Sequence, residues 1–127
     1  MITAISVEGV VKKIQGVEQD VLQIVFDGEL DETNVEASAE KVYRLIDSTA
    51  AESIFCFDFA KLSYMNSKSL GFLSDWYTKI TDRGGRIFIV SPQPTIDEVL
   101  RTVMLDVYIP IVSSFEDLVQ QINQKKA

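Results

Sequence analysis

The feature that most constrains the fold is an unbroken apolar run, residues 54–57, which ends at Asp58. Because no polar residue interrupts it, the run predicts a strand that is covered on both faces of a sheet. From residue 70 onward, the apolar spacing becomes that of an amphipathic helix. The apolar residues on that helical face are Leu70, Leu73, Tyr77 and Ile80. We therefore predict that a buried strand leads, through one tight loop, into a helix.

The first turn of this helix carries hydroxyl and amide side chains, namely Asn66, Ser67 and Ser69. Such side chains accept hydrogen bonds from the first backbone N–H groups of a helix, which have no partner within it. The simplest interpretation is therefore that Asn66 or Ser67 caps the helix and does nothing else.

Strand-like and helix-like segments alternate along the rest of the chain. The predicted strands cover residues 5–14, 21–26, 54–57, 86–90 and 108–112, and the predicted helices begin near residues 33, 66, 95 and 114. Gly9 is a possible bulge or turn position, and Pro110 indicates that the last strand lies at an edge. The order β-β-α-β-α-β-α-β-α predicts an α/β fold with a single mixed, mostly parallel sheet of about five strands and four helices.

Capping patterns mark several helix ends. Thr33 with Glu36, and Thr95 with Glu98, have the spacing of capping boxes. Gly84 is the predicted left-handed residue that follows the second helix. The residues predicted to face inward on the third helix are Ile96, Val99, Leu100 and Val103.

The composition narrows the classes of function. The net charge is −7, from 12 basic and 19 acidic residues, and this disfavours nucleic acid as a partner because its binding depends on neutralising phosphates. The chain has no run of about 18 apolar residues that could span a membrane, and its N-terminal segment lacks the order of a signal peptide. We expect a cytoplasmic protein without membrane insertion, forming one domain over residues 1–127 with a core at about 5–122.

The residues needed for most catalytic and metal sites are missing. The chain contains no histidine, the commonest general base and metal ligand. Its one cysteine, Cys56, lies inside the apolar run and is predicted to be a small buried hydrophobe. Asp58 is expected to accept backbone N–H bonds, and no further residue supports Glu29 and Asp31 as a catalytic pair. We expect no enzyme, no cofactor and no metal.

The segment from Ser63 to Leu73 carries a resemblance to a known family. It reads SYMNSKSLGFL, which resembles the signature loop of the STAS domain, the fold of bacterial anti-sigma factor antagonists, S-[FY]-M-D-S-[ST]-G-L-G-[VIL]-[LIF]. The sequence GELD at residues 28–31, before the helix predicted at Thr33, is a second and weaker match, to a loop that adjoins the signature loop. The resemblance implies a STAS-type sheet over nearly the whole chain.

The resemblance also implies a modification site. In the family, a partner serine kinase phosphorylates the serine that directly follows the aspartate, and this serine corresponds to Ser67. Three positions depart from the pattern: Asn66 replaces the aspartate, Lys68 the second hydroxyl residue and Ser69 the glycine. Ser69 is an alternative hydroxyl, although it lies further into the helix.

The function implied is that of an anti-sigma factor antagonist in bacterial transcription regulation. Its unphosphorylated form would bind an anti-sigma factor of the serine-kinase type and so release a sigma factor, and phosphorylation of Ser67 would end the association. Phe72 and Trp76 are either an exposed aromatic pair beside the loop or part of the core. The expected partner-binding residues are Glu29, Asp31, Thr33, Asn34, Asn66, Ser67, Lys68, Ser69, Phe72 and Trp76.

Two other functions stay open from the sequence. One is a scaffold subunit of a larger signalling or transporter-associated complex, without phosphorylation, which the altered loop at Asn66–Ser69 favours. The other is a small-ligand or nucleotide-binding module that uses the helix N-terminus at Ser67 as an anion site. The sequence does not decide between a monomer and a dimer.

Overall fold

The computed structural model describes residues 4–124. Its strands are β1 (Ile5–Lys12), β2 (Val21–Leu30), β3 (Ile54–Met65), β4 (Arg86–Val90) and β5 (Ile111–Val112). Its helices are α1 (Val35–Ser48), α2 (Ser67–Asp82), α3 (Pro94–Thr102) and α4 (Phe115–Gln124), with a short 3-10 helix at Leu105–Val107. Within the described residues the strands form one five-stranded sheet in the order β1-β2-β3-β4-β5. Only β1 with β2 is antiparallel among its neighbouring pairs, so the predicted α/β fold and element order are confirmed.

The apolar run of β3 is buried on both faces, as its sequence predicts. Phe55, Phe57 and Phe59 lie in a large core with residues of α1, α2 and α3. Ile54 and Cys56 point to the other face and lie in a smaller core with residues of α4. Alternate residues of one strand therefore serve two cores, which explains why the run has no polar alternation.

β3 does not end at Asp58, and this part of the prediction is wrong. The strand continues to Met65, and its parallel pairing with β2 shifts register between Val25 and Asp27. The Asp58 side chain accepts hydrogen bonds from the backbone N–H of Ala60 at 3.0 Å and from the Gln23 side chain at 2.9 Å. The carboxylate thus supplies an acceptor where the ladder is irregular, and the expectation that it binds backbone N–H groups is confirmed.

Two of the predicted helix starts are displaced by one or two residues. The N-cap of α1 is Asn34, one residue after the predicted Thr33. α3 begins at Pro94 with Gln93 as its N-cap, ahead of the predicted Thr95, because proline at the first helical position needs no N–H partner. Gly84 follows the end of α2 with φ of +79°, so the left-handed residue predicted there is confirmed.

The buried face of α2 is rotated by about one position from the predicted one. Its buried residues are Ser69, Leu73, Trp76 and Ile80. Leu70 and Tyr77, which were predicted to face inward, are only half-buried. The reason is that Trp76 packs against Phe57 and Phe26, with ring centroids 5.7 and 6.0 Å apart. Burying the indole removes more apolar area from water than burying Tyr77 would.

α3 buries a narrower stripe than its sequence predicts. Ile96 and Leu100 are buried, but Val99 and Val103 are 38% and 49% exposed. A helix of nine residues on one side of the sheet covers the core with a single i, i+4 pair, so its flanking valines face solvent. They join three further exposed residues after the helix. We call this set the α3 patch: Val99, Val103, Met104, Val107 and Tyr108.

The first and last strands complete the comparison with the sequence. Gly9 pairs regularly with Ile24, so the bulge predicted there is wrong. Gly9 instead lies beneath Leu45 of α1, whose Cδ2 would be 2.9 Å from an added Cβ. β5 lies at the sheet edge and contains two residues, Ile111 and Val112. No helix within residues 4–124 is both long and apolar enough to cross a lipid bilayer.

The tight backbone at Gly28 leads to the first testable prediction. Gly28 has φ of +129°, and an added Cβ would lie 2.6 Å from the carbonyl oxygen of Ala4. We expect Gly28→Ala to lower the free energy of unfolding by about 2–3 kcal/mol, through strain and this clash. Gly16 is the matched control, because its φ is +81° but an added Cβ meets no atom within 4 Å. Gly16→Ala should cost only about 1 kcal/mol. Urea unfolding measures both, and equal losses would contradict the prediction.

Candidate functional site

The two segments predicted to form a contact surface lie side by side. β2 and β3 are parallel neighbours, and their last residues, Leu30 and Met65, are paired. The segments that follow these strands, 31–34 and 66–69, therefore leave the sheet at the same edge. Each segment leads directly into a helix, α1 or α2. This is the edge at which α/β folds usually place their binding sites.

The segment after β2 is held by its own polar side chains. The Asp31 carboxylate accepts hydrogen bonds from the backbone N–H of Thr33 at 2.9 Å and from its hydroxyl at 2.6 Å. Asn34 accepts a bond from the backbone N–H of Asp31 at 3.1 Å and donates one to the carbonyl of Glu29 at 2.8 Å. Asn34 is buried, so the expectation that it contacts a partner is wrong. Glu29 and Thr33 are exposed at this edge.

The segment after β3 forms a capping box. The Asn66 side chain accepts a hydrogen bond from the backbone N–H of Ser69 at 2.9 Å, and the Ser69 hydroxyl accepts one from the backbone N–H of Asn66 at 2.8 Å. Both residues thereby satisfy N–H groups that the helix leaves without partners. Ser69 is 0% exposed. It is therefore a structural residue, and neither a partner contact nor an accessible alternative hydroxyl for modification.

Ser67 lies between these two caps and is free of them. It is the first residue of α2 and is exposed. Its hydroxyl has no hydrogen-bond partner among residues 4–124, whereas Asn66 performs the capping that the sequence left open between the two. The hydroxyl also lies at the positive end of the helix dipole, which favours an anionic group there.

Lys68 connects the beginnings of the two helices. Its ammonium lies 2.5 Å from a carboxylate oxygen of Glu36, in the first turn of α1. The hydrogen bond from Lys68 and its positive charge lower the pKa of Glu36 below its ordinary value. Both side chains are exposed, so the pair contributes little to stability. Its effect is to link the first turn of α2 to the first turn of α1.

The aromatic residues of α2 are part of the packing and not an exposed pair. Trp76 is 0% exposed, which overturns its expected place on the contact surface. Its indole N–H has no acceptor among residues 4–124. Phe72 is half-buried and stacks on Trp76, with ring centroids 6.3 Å apart. It also meets the ring of Tyr43, whose hydroxyl donates a hydrogen bond to Asp75, so these side chains join α1 to α2.

The exposed side of α2 extends the site beyond the predicted residues. Ser67, Gly71, Ser74 and Thr78 are exposed at i, i+4, i+7 and i+11, which places them along one ridge. Further along the helix, the Tyr77 ring lies 6.0 Å from that of Tyr108 in the α3 patch. The sequence signal for the ridge is the helical spacing of small residues. The patch was missed because its valines fit an inward stripe equally well.

The neighbouring serines of α2 lead to the second prediction. We expect Ser69→Ala to lower the free energy of unfolding by about 1–2 kcal/mol, because it leaves the backbone N–H of Asn66 without its acceptor. Ser67→Ala is the matched control and should change stability by less than about 0.5 kcal/mol, because its hydroxyl is exposed and unbonded. Urea unfolding of both variants measures the difference. A larger loss for Ser67→Ala than for Ser69→Ala would contradict these assignments.

Known structures share this fold. The anti-sigma factor antagonist SpoIIAA in its unphosphorylated form has a TM-score of 0.70 and 20% identity, with 92% of this chain and 97% of that chain covered. An anti-sigma factor antagonist from Mycobacterium paratuberculosis has a TM-score of 0.73 and 18% identity, with coverages of 93% and 95%. The phosphorylated form of the Bacillus cell fate determinant SpoIIAA has a TM-score of 0.63 and 21% identity, with coverages of 91% and 99%.

No protein with a curated description is significantly similar to this chain in sequence. A sequence model of the STAS domain, however, matches residues 10–118. This match spans most of the chain, including both loops of the site and the α2 ridge. The chain therefore belongs to the STAS domain family.

Proposed function

We propose that this chain is an anti-sigma factor antagonist whose docking is controlled by phosphorylation of Ser67. In the unphosphorylated form it binds an anti-sigma factor of the serine-kinase type, and a sigma factor is thereby released. The observation that carries the proposal is Ser67 itself, an exposed and unbonded hydroxyl at the start of α2. The structural relative SpoIIAA supports it further, since that protein has both an unphosphorylated and a phosphorylated form.

The position of Ser67 suits a switch that leaves the fold unchanged. A phosphate would add about −1.5 to −2 charges next to the positive end of α2, where the dipole stabilises an anion. Lys68 provides a nearby cation, which the phosphate and Glu36 would share. The domain therefore tolerates the modification.

The cost of the phosphate falls on a partner that packs over Ser67. Burying a strongly hydrated charge without a matched cation costs several kcal/mol, and about 1.4 kcal/mol changes a dissociation constant tenfold. A single phosphoryl group is therefore sufficient to end an association of moderate affinity. Release requires no change of shape in either protein.

The proposed contact surface combines the exposed site residues with the α2 ridge and the α3 patch. Glu29, Thr33 and Lys68 are exposed polar residues at the same edge of the sheet as Ser67. Tyr77 lies about 15 Å along the helix from Ser67, by the rise of an α-helix, and it adjoins Tyr108 of the α3 patch. Groups of exposed apolar residues close together in the chain, such as those of the α3 patch, are typical of interaction sites. We assign affinity to the patch and control of binding to Ser67.

The third prediction concerns modification in the native cells. We expect the protein isolated from its own cells to contain a population whose intact mass is increased by one phosphate, with peptide mapping placing it on Ser67. Ser67→Ala should lose the modification. Ser74→Ala is the matched control, because Ser74 is exposed on the same ridge, and it should keep the modification. Phosphate that persists in Ser67→Ala would overturn the switch.

The fourth prediction tests the α2 ridge without disturbing the fold. An added Cβ at Gly71 meets no atom within 4 Å. Gly71→Ala should therefore raise the free energy of unfolding by about 0.5–1 kcal/mol, because glycine destabilises a helix interior. Gly71→Arg should remain folded but bind the anti-sigma factor at least about tenfold more weakly, because a long charged side chain covers the ridge. Calorimetric titration with that partner compares the variants, and unchanged binding by Gly71→Arg would exclude the ridge from the interface.

A second candidate function is a constitutive docking subunit that is not phosphorylated. The observation that favours it is that both neighbours of Ser67 differ from the family's signature loop. Asn66 has no carboxylate, and Lys68 is bonded to Glu36. An unmodified mass under several growth conditions, together with a complex that is insensitive to ATP, would indicate this function in place of the switch.

A further inference from the structure

The outer strand β1 exposes one side of its backbone. β1 is at one end of the sheet and pairs with β2 alone among the described strands. Its outward N–H and C=O groups are therefore available to another strand. Towards the end of the strand, Val10 and Val11 are 48% and 56% exposed. An exposed edge strand with adjacent apolar residues is a template for strand addition.

Residues of α1 contact β1 at Glu8 and Gly9. Leu45 lies over Gly9, and Lys41 reaches the Glu8 carboxylate at 3.3 Å. The exposure of Val10 and Val11 means that the strand beyond Gly9 remains accessible. Every residue from Glu8 to Lys12 is exposed, so this is the part of the edge that a second strand can reach.

The charged residues of β1 are complementary to those of a second, antiparallel copy of the strand. Glu8 and Lys12 lie four residues apart and on the same face of the strand, because alternate residues share a face. Lys13 is paired with Asp20 at 2.5 Å, whereas Lys12 has no ion-pair partner among residues 4–124. A second copy of the strand, running antiparallel, can therefore offer Glu8 to Lys12 and Lys12 to Glu8, and the Glu8 carboxylate is then shared between this Lys12 and the exposed Lys41 of its own chain.

We propose that β1 is a homodimer contact, in which two copies of β1 pair antiparallel about a twofold axis at Val10. This register places Val10 opposite its own copy, Val11 opposite Gly9, and Glu8 opposite Lys12 on both sides of the axis. Directly opposite residues interact most strongly in an antiparallel pair, and opposite charges there are favourable. A twofold contact of this kind closes on itself and does not extend into a fibre.

The neighbouring registers satisfy the charges less well. An axis at Glu8 would place two carboxylates opposite each other, and an axis at Gly9 would place Glu8 opposite Val10. An axis at Val11 would place Lys12 opposite Val10. In an antiparallel strand, the N–H and C=O groups of alternate residues point toward β2 or away from it. A twofold axis between two residues would place a residue whose groups point away from β2 opposite one whose groups point toward β2, so the two copies could not form regular hydrogen bonds. The axis at Val10 is therefore the one in which the charges pair.

The net charge of the chain favours β1 over other surfaces as the contact between two copies. A net charge of −7 makes most surfaces of two copies repel each other. Lysines on an edge strand ordinarily prevent pairing, but in this register Lys12 faces a carboxylate. β1 is separated from β3, which leads into Ser67, by one intervening strand. The inference is therefore independent of the proposed function.

The experiment measures the mass of the full chain by sedimentation equilibrium, from micromolar to millimolar concentration at low salt. We expect a monomer–dimer equilibrium in the original sequence. Glu8→Lys and Lys12→Glu should each weaken the dimer at least about tenfold, because like charges then face each other twice. The double variant, Glu8→Lys with Lys12→Glu, should restore it. Lys13→Glu is the matched control, since it changes the net charge as Lys12→Glu does but faces no charge across the axis.

A disulfide tests the register itself. Val10→Cys places two thiols directly opposite each other, at a Cβ separation of about 4.5–5.5 Å, so mild oxidation should cross-link the dimer efficiently. Ser6→Cys is the matched control, because Ser6 is exposed on the same face but its two copies lie far apart. The native Cys56 does not interfere, since burial raises its pKa to about 12. A protein that stays monomeric throughout, or a dimer that Val107→Asp disrupts and Glu8→Lys does not, would overturn the proposal.

Discussion

The structure depends on the burial of β3 on both of its faces. Its phenylalanines lie in the large core with α1, α2 and α3, while Ile54 and Cys56 lie in the smaller core with α4. Fully burying a large apolar side chain stabilises a fold by about 1.5–3 kcal/mol, so this strand joins the layers on the two sides of the sheet. A strand held in this way brings its carboxyl end to a fixed position. The candidate site begins at that end, immediately after Met65.

The site combines rigid polar groups with one free hydroxyl. Asn34 and Ser69 are buried, and their side chains form hydrogen bonds with the backbone of the two loops. Ser67 is held at the start of α2 by the capping box that surrounds it, yet its own side chain faces solvent. This arrangement allows a charge to be added at one point while the surrounding loops keep their shape. Control by charge then requires no second conformation of the domain.

The surface divides into regions with different physical roles. The α3 patch offers apolar area, which contributes affinity to almost any partner that covers it. The groups around Ser67 are polar or charged, and such groups contribute more to specificity than to affinity. The part of β1 from Glu8 to Lys12 pairs with Val25 to Val21, away from the end of β2 that leads into the site, and it offers backbone hydrogen bonds with a self-complementary pair of charges. A second copy of the chain and a different protein can therefore occupy separate parts of the molecule.

The sequence by itself determined the element order, the mostly parallel sheet and the choice of Ser67 as the candidate for modification. The first two follow from local periodicity, since an unbroken apolar run such as residues 54–57 is best satisfied as a strand buried on both faces. The third follows from the loop that resembles the STAS signature. Tertiary structure decided which face of α2 is buried, because Trp76 and Tyr77 are adjacent on the helix and only the neighbouring phenylalanines select between them. It also decided that Ser69 is a cap while Ser67 is free. Both are hydroxyls in one helical turn, and only the path of the backbone determines which of them points inward.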